Sequence, residues 1–406
     1  MPETISSLSS DFIKNISDYS FQEIAFQVAK NILNGDISDS DLEEVIKKVI
    51  TFEAPVVNIL DNISTLELFH GPTLAFKDFG ARFMAAMMSH YLKKEDTELT
   101  ILVATSGDTG SAVAQGFFNV EGIKVILLYP ANKVSKIQEM QLTTMGGNIT
   151  ALEVDGTFDD CQKLVKSAFL DEDLRSKINI SSANSINISR LIPQSFYYFN
   201  AYAQLQNKDL PLIFSIPSGN FGNLTAGLLA KRMGLPVHKF IASTNVNDIV
   251  PRYLETKEFT PRSSIETISN AMDVGNPSNF YRMLDLYSND YDLLTKDIEG
   301  SSFTDDQTRE VLKKVYQETG YIMDPHGAVG FLGLQANKEI QDKNAQGIFL
   351  ETAHPAKFLD EVEQTLDSKV EIPPRLAKFL EGKKETIKSN IDYPSFKEFL
   401  FSAHNI

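Results

Sequence analysis

The chain has 406 residues, 42% of them hydrophobic, with 54 acidic against 38 basic side chains and a formal net charge of -16. That length carries two or three domains with sizeable cores, and the acidic field argues against nucleic-acid and anionic-membrane partners while leaving small anions as ligands of local N–H nests and arginines. A single cysteine excludes intramolecular disulfides and cysteine-rich zinc sites, and the six histidines never pair at metal-ligand spacing.

The N-terminal stretch, residues 1–66, reads as a helical appendage. Ser20-Phe-Gln-Glu23 has capping-box spacing, Gly35 stops the helix it opens, and a second helix spans about Asp41 to Thr51. Neither carries a catalytic constellation. No apolar run reaches the roughly 18 residues of a membrane span, and the start lacks the basic and apolar pattern of a signal peptide. The expected location is the cytoplasm.

A helix is predicted from about residue 76, where Phe76, Phe79, Phe83, Met87 and Tyr91 recur at helical spacing. Lys77 sits in its first turn. The helix dipole and apolar neighbours both disfavour the ammonium there, which moves the group toward the free amine that Schiff-base chemistry requires, while Asp78 pulls the other way. Taken alone, Lys77 is a solvated surface lysine with an acidic neighbour.

From Leu99 onward short aliphatic runs alternate with helical stretches. Leu99 to Ala104, Lys124 to Tyr129 and Ile149 to Val154 are predicted strands, interleaved with helices over Ser111 to Asn119, Val134 to Met145 and Phe158 to Leu170. Cys161 lies at the start of the last of these, among acidic neighbours that raise a thiol pKa, and reads as structural. The same alternation resumes with strands at Leu212 to Ile216, Val237 to Ser243 and Gly347 to Glu351. Their helices are Leu224 to Met233, Asp306 to Thr319, Ala328 to Asn337 and one from about Pro355. This is the pattern of βαβ units, so the fold class is α/β with two parallel-sheet lobes. The expected division is 67–98 with 206–406 as the larger lobe and 99–205 as the smaller.

Four stretches suit anion binding. In Leu102-Val-Ala-Thr-Ser-Gly-Asp-Thr-Gly-Ser111 a strand runs into a hydroxyl- and glycine-rich turn, where Ser106 and Thr109 add donors to a helix N-terminus. It has neither the Walker lysine nor the dinucleotide fingerprint, and by itself such a turn is usually just an N-cap. In Phe214-Ser-Ile-Pro-Ser-Gly-Asn-Phe-Gly-Asn-Leu224, Gly219 and Gly222 let the backbone approach a ligand. There the N–H groups of Asn220, Phe221 and Asn223 form a phosphate cradle, the plain alternative being a tight βα turn. Ser182-Ala-Asn-Ser-Ile-Asn-Ile-Ser-Arg190 ends on a guanidinium suited to a carboxylate or phosphate, or to an ordinary salt bridge. Thr352 ends a predicted strand, at a sheet edge where ligands bind or as an N-cap. There is no Gly-x-Ser-x-Gly elbow for a serine hydrolase.

In this order, the stretches resemble threonine synthases of the bacterial and fungal kind, pyridoxal-phosphate enzymes of the tryptophan synthase β-like fold (fold type II). The likeness covers roughly residues 40 to 370 and rests on His-Gly-Pro-Thr-Leu-Ala-Phe-Lys-Asp-Phe-Gly at 70–80, Thr-Ser-Gly-Asp-Thr-Gly at 105–110 and Asn-Ser-Ile-Asn-Ile-Ser-Arg at 184–190. Ser-Gly-Asn-Phe-Gly-Asn at 218–223, Met-Asp-Val-Gly-Asn-Pro-Ser-Asn at 272–279 and Thr-Ala-His-Pro-Ala-Lys-Phe at 352–358 complete it.

The resemblance implies that Lys77 holds pyridoxal phosphate as a Schiff base and serves as the catalytic base. Gly219, Asn220, Phe221, Gly222 and Asn223 would bind the cofactor phosphate, and Thr352 the pyridine nitrogen. Ser106, Asp108, Thr109, Asn184, Ser185 and Arg190 would hold the substrate. The implied reaction converts O-phospho-L-homoserine and water to L-threonine and phosphate, the last step of threonine biosynthesis, with no metal and no obligate protein partner. Asp108 agrees with this branch, since relatives acting on serine derivatives commonly carry asparagine there; the family's usual glycine-bearing opening is absent. The alternatives are a threonine or serine dehydratase of the same fold and a catalytically silent cofactor-binding homologue.

Overall fold

The computed structural model describes residues 5–95, 97–184 and 187–404. In chain order the strands are β1 (Val56–Leu60), β2 (Ile63–Glu67), β3 (Leu99–Ala104), β4 (Ile123–Pro130), β5 (Ile149–Val154) and β6 (Ile180–Ser182). They continue with β7 (Leu212–Pro217), β8 (Lys239–Thr244), β9 (Ile298–Ser302), β10 (Gln346–Glu351) and β11 (Ile387–Ser389). The chain divides into two compact units, a larger one from Met1–Phe76 and Leu191–Glu371 and a smaller one from Lys77–Arg190 and Ile372–Ile406.

The larger unit is built on a six-stranded sheet in the order β1-β2-β10-β7-β8-β9, parallel except for β1. Its central strand β7 is buried on both faces, all six residues of Leu212–Pro217 being buried, as a sheet covered on both sides requires. The Pro325–Ala336 helix crosses one face closely enough that a Cβ on Gly330 would sit 3.2 Å from Pro217 and 3.5 Å from Phe349. Tyr198 packs edge-on against Phe214 and Phe240. Because β7 and β10 are parallel neighbours, their carboxyl ends open at one edge of the sheet, where the loops after Pro217 and Glu351 emerge.

The smaller unit holds a five-stranded parallel sheet in the order β11-β5-β4-β3-β6. Its two faces follow the period of the strand. Ile101, Val103, Val125 and Leu127 point to a core shared with Ala81, Met84 and Phe117, whereas Leu102, Ile126, Leu128 and Val154 point to one shared with Cys161, Leu164, Phe396 and Leu400.

Four expectations are corrected. Residues 56–67 are a β-hairpin and not helix: Val-Val-Asn-Ile-Leu and Ile-Ser-Thr-Leu-Glu are β-rich runs joined at Asp61-Asn62, with Asp61 at positive φ. The Lys77–Glu95 helix belongs to the smaller unit, since Ala81, Met84 and Ala85 fill its core and a Cβ on Gly116 would sit 3.0 Å from the Ala81 backbone. The C-terminal stretch also joins the smaller unit, because β11 pairs with β5 and the Tyr393–Ser402 helix buries Phe396 and Leu400. Residues 191–205, in turn, fall in the larger unit. The capping box at Ser20, and the buried Cys161 with its thiol pushed up to about 12 by burial and then Asp160, agree with the sequence, and Thr157 forms a further capping box.

Candidate active site

In the larger unit, β7 runs into Ser218-Gly219-Asn220-Phe221 and the helix Gly222–Arg232. Phe221 takes a left-handed conformation (φ 60°), turning the chain so that the helix opens at once after the loop. Gly219 is needed for space: a Cβ there would lie 2.6 Å from Met272 Cα and 3.0 Å from the Ala271 carbonyl oxygen, both backbone. Asn220 is gripped by the 272–279 motif. Its Oδ1 accepts from Ser278 N (2.6 Å) and Ser278 Oγ (2.9 Å), and its carbonyl accepts from Asn279 Nδ2 (3.0 Å).

Asn223 lies in the first turn and is 6% exposed. Its Oδ1 accepts from the hydroxyls of Tyr197 (2.7 Å) and Tyr198 (2.8 Å), both buried and both pushed above the ordinary tyrosine pKa by desolvation, so both remain donors. That fixes the orientation of the amide. Its Nδ2 is buried and has no hydrogen-bond partner among the described residues. An orphaned donor beside a helix N-terminus is the complement of a phosphate oxygen, so the loop fits the phosphate of pyridoxal phosphate.

Thr352, 6% exposed, follows β10 at the same sheet edge. Its carbonyl accepts from Phe76 N (2.9 Å), Ala75 bridges Ala353, and Leu74 O accepts from His354 N (3.0 Å), which lays the segment before Lys77 antiparallel to residues 352–354. Lys357, 1% exposed, fastens that segment by donating to Thr73 O (2.9 Å). Burial, then His70, lowers His354 to about 4, so its imidazole is neutral and its Nδ1 accepts from Ala356 N (3.1 Å).

Behind Thr352 is an acidic cluster. Glu351 accepts from the Asp324 N–H, Tyr321 donates to Glu67 (2.8 Å), and Asp324 accepts from His326. Desolvation, then the Asp324 carboxylate, raises Glu351 well above its ordinary value of 4.5. The folded state therefore binds a proton that the unfolded chain releases, and this carboxyl subtracts stability increasingly as pH rises above 4.5. Glu351→Gln keeps the acceptor and removes the titration. Its melting temperature is expected to exceed that of the wild type at pH 7 and to converge with it near pH 4. Thermal melts across that range check this, and a difference independent of pH would contradict it.

In the smaller unit, Lys77 is half-buried at the start of its helix. Its neighbour Asp78 is fully buried and acts electrostatically on Arg82 and Arg190, opposing the desolvation that lowers both guanidinium pKa values, that of Arg190 to about 10. Arg190 is 2% exposed and donates through Nη1 to Ala183 O (2.5 Å), holding the turn that carries the exposed Asn184. Ser185 lies outside the described residues.

The 105–110 loop presents Ser106 at the surface and Thr109 half-buried, with Asp108 buried at the first position of the Asp108–Phe117 helix. Thr105, which the sequence reading passed over, has a buried Oγ1 that accepts from Gly107 N (3.0 Å) and Gly110 N (2.8 Å). Gln138 was missed as well. It closes a capping box with Ser135 and donates to Asp108 Oδ1 (3.0 Å), with Gly107 at φ 139° beneath it. Among the described residues there is no His, Cys, Asp and Glu group able to hold a metal ion, and no helix is long and apolar enough to cross a membrane.

Family models agree with this arrangement. One for pyridoxal-phosphate dependent enzymes matches residues 65–350, one for the threonine synthase C-terminal region matches 328–399, and one for the threonine synthase N terminus matches 1–50, beyond the stretch over which the motifs were recognised. The chain is 43% identical to a threonine synthase of Haemophilus influenzae over 99% of its own length and 93% of the relative's. It is 47% identical to one of Escherichia coli over 86% and 81%. The crystal structure of the Escherichia coli threonine synthase superposes with a TM-score of 0.91, covering 99% of this chain and 93% of that one at 42% identity. A structure of PLP-bound threonine synthase from Brucella melitensis gives 0.92 at 32% identity, covering 98% and 92%. By its family models, its identity to these relatives and its fold, the chain belongs to the threonine synthase family of pyridoxal-phosphate enzymes.

Proposed function

We propose that the chain converts O-phospho-L-homoserine and water into L-threonine and phosphate, with its residues in the following roles. The observation that carries the cofactor assignment is the orphaned, buried Nδ2 of Asn223 beside a helix N-terminus. Gly219, Asn220, Phe221, Gly222 and Asn223 would hold the cofactor phosphate, Thr352 would meet the pyridine nitrogen through its hydroxyl, and Lys77 would carry the cofactor on its amine. When bound, pyridoxal phosphate supplies the electron sink for charge developing at the substrate Cα and Cβ. Lys77 is the base at Cα and takes up a proton there. A second proton leaves Cβ, the Cγ–O bond breaks and its electron pair departs with the phosphate. Water then adds at Cβ, and protons return to Cγ and Cα.

At the substrate end, the hydroxyls of Ser106 and Thr109 donate to its anionic groups and to the phosphate after it leaves. Asn184 adds a polar contact, and Asp108, oriented by Gln138, completes the loop. Arg190 acts at this end, supported by its hold on the turn at Ala183. Arg190→Ala is expected to lower kcat/KM for phosphohomoserine by about 10–100-fold, the loss of a charge-assisted hydrogen bond, while cofactor loading stays intact. Steady-state kinetics and the cofactor absorbance check it; unchanged kinetics would remove Arg190 from the site.

The experiment that tests the function is incubation of the purified protein with phosphohomoserine and pyridoxal phosphate, assaying threonine and inorganic phosphate together. Formation of both in equal amounts supports the reading. Release of a 2-oxo acid and ammonia from threonine or serine, without threonine formation from phosphohomoserine, would identify a dehydratase. We also place the enzyme in the cytoplasm, a setting consistent with its lone cysteine being buried and reduced.

A further inference from the structure

His326 takes no part in the chemistry above, yet it is 3% exposed and both ring nitrogens are engaged. The backbone N–H of Ala271 points at Nε2 (3.2 Å) and can only donate, so Nε2 accepts. A neutral imidazole then carries its proton on Nδ1, which donates to Asp324 Oδ1 at 2.5 Å. Asp324 itself cannot turn away. Its Oδ1 also accepts from His326 N (2.6 Å), its Oδ2 accepts from Ala353 N (3.3 Å), and it caps the Pro325–Ala336 helix.

What His326 holds is the wall of the phosphate loop. Ala271 and Met272 form a short turn, and their backbone is what a Cβ on Gly219 would strike. The far side of that turn is tied down by Asp273, whose Oδ1 accepts from Asn245 Nδ2 (2.9 Å), Asn247 Nδ2 (3.1 Å) and Thr267 Oγ1 (2.7 Å). The near side is tied by His326. One carboxylate, Asp324, thus connects through His326 to the floor beneath Gly219 and directly to the residue after Thr352.

We infer that His326 is a positioning residue for the cofactor: as an acceptor at Nε2, locked in that tautomer by Asp324, it fixes Ala271–Met272 against Gly219 and sets the phosphate loop relative to Thr352. The inference rests on the assignment of residues 219–223 to the cofactor phosphate. It predicts an effect on phosphate recognition in particular, because the Ala271 turn supports the loop and not the ring.

The test compares equilibrium binding of pyridoxal phosphate and of pyridoxal, which lacks the phosphate, to the full chain resolved of cofactor. His326→Asn keeps a donor toward Asp324 but places no acceptor at the Nε2 position, whereas His326→Gln restores one there. His326→Asn is expected to weaken pyridoxal phosphate binding about tenfold, the effect of one buried unsatisfied donor, with pyridoxal binding changed less than about twofold. His326→Gln should recover most of the preference. Unchanged pyridoxal phosphate affinity in His326→Asn, or equal weakening of both ligands, would overturn the inference, the second being what general loosening produces. Should His326→Asn not fold, loss of the preference in a folded His326→Gln would also overturn it. The loop assignment is judged apart from this: a wild-type protein that binds the two ligands equally well removes the assignment, and the inference with it.

Discussion

Lys77→Ala is expected to lose both the Schiff-base absorbance of the bound cofactor and turnover, with the lost base alone accounting for a drop of roughly 10²–10⁴-fold in rate. The side chain begins the Lys77–Glu95 helix, where the aligned peptide dipoles disfavour a cation. From sequence alone Asp78 was the counterweight to that effect. In the folded chain Asp78 is buried and acts on two guanidinium groups, Arg82 four residues on and Arg190, so its charge is shared with cations other than Lys77. Difference absorbance spectra of the variant with and without pyridoxal phosphate, together with a threonine assay, are the measurements. An unaltered spectrum would withdraw Lys77 as the anchor.

Asn223→Asp should be the most damaging single change in the phosphate loop. Aspartate is nearly isosteric, and one carboxylate oxygen still accepts from the Tyr197 and Tyr198 hydroxyls as Asn223 Oδ1 does. The other takes the place of the orphaned Nδ2 and faces the cofactor phosphate with a negative charge. Like charges brought together in a desolvated site cost several kcal/mol, so pyridoxal phosphate affinity is expected to fall about 10²–10³-fold. Titration of the cofactor-resolved protein measures it. Affinity within a few-fold of the wild type would mean that the amide does not meet the phosphate.

The parts of this site that were legible in the sequence are those written locally. A strand, a glycine loop and a helix start lie in one run of residues at 214–224, and the same holds for 102–111 and for the strand end at Thr352. Their supports were not legible, because each comes from far along the chain. Tyr197 and Tyr198 orient Asn223 from a preceding helix, Gln138 holds Asp108 from the next βα unit, and Asp324 and His326 reach residues 353 and 271. A single sequence has no term that connects such pairs. The β1–β2 hairpin is a different case, since Val56-Val57 and Ile63-Ser-Thr65 carry β-branched signals that the surrounding helical pattern obscured. Arg190 is a third case: an arginine in a polar run suggests a ligand clamp, and the folded chain adds that its guanidinium is buried and also bonded to Ala183.

The pairing of each sheet's strands also bears on how the chain is made. In the larger unit β2 lies between β1 and β10, so Ile63 and Gly347 are partners in register although most of the polypeptide separates them. In the smaller unit β5 meets β11, at Ile387–Ser389, only near the end of the chain. A ribosome adding about 5–20 residues per second leaves β2 without its parallel neighbour for roughly tens of seconds. One backbone edge of β2 and one of β5 therefore lack their native partners through most of translation. A chain cut short before residue 387 lacks the strand that covers this edge of β5.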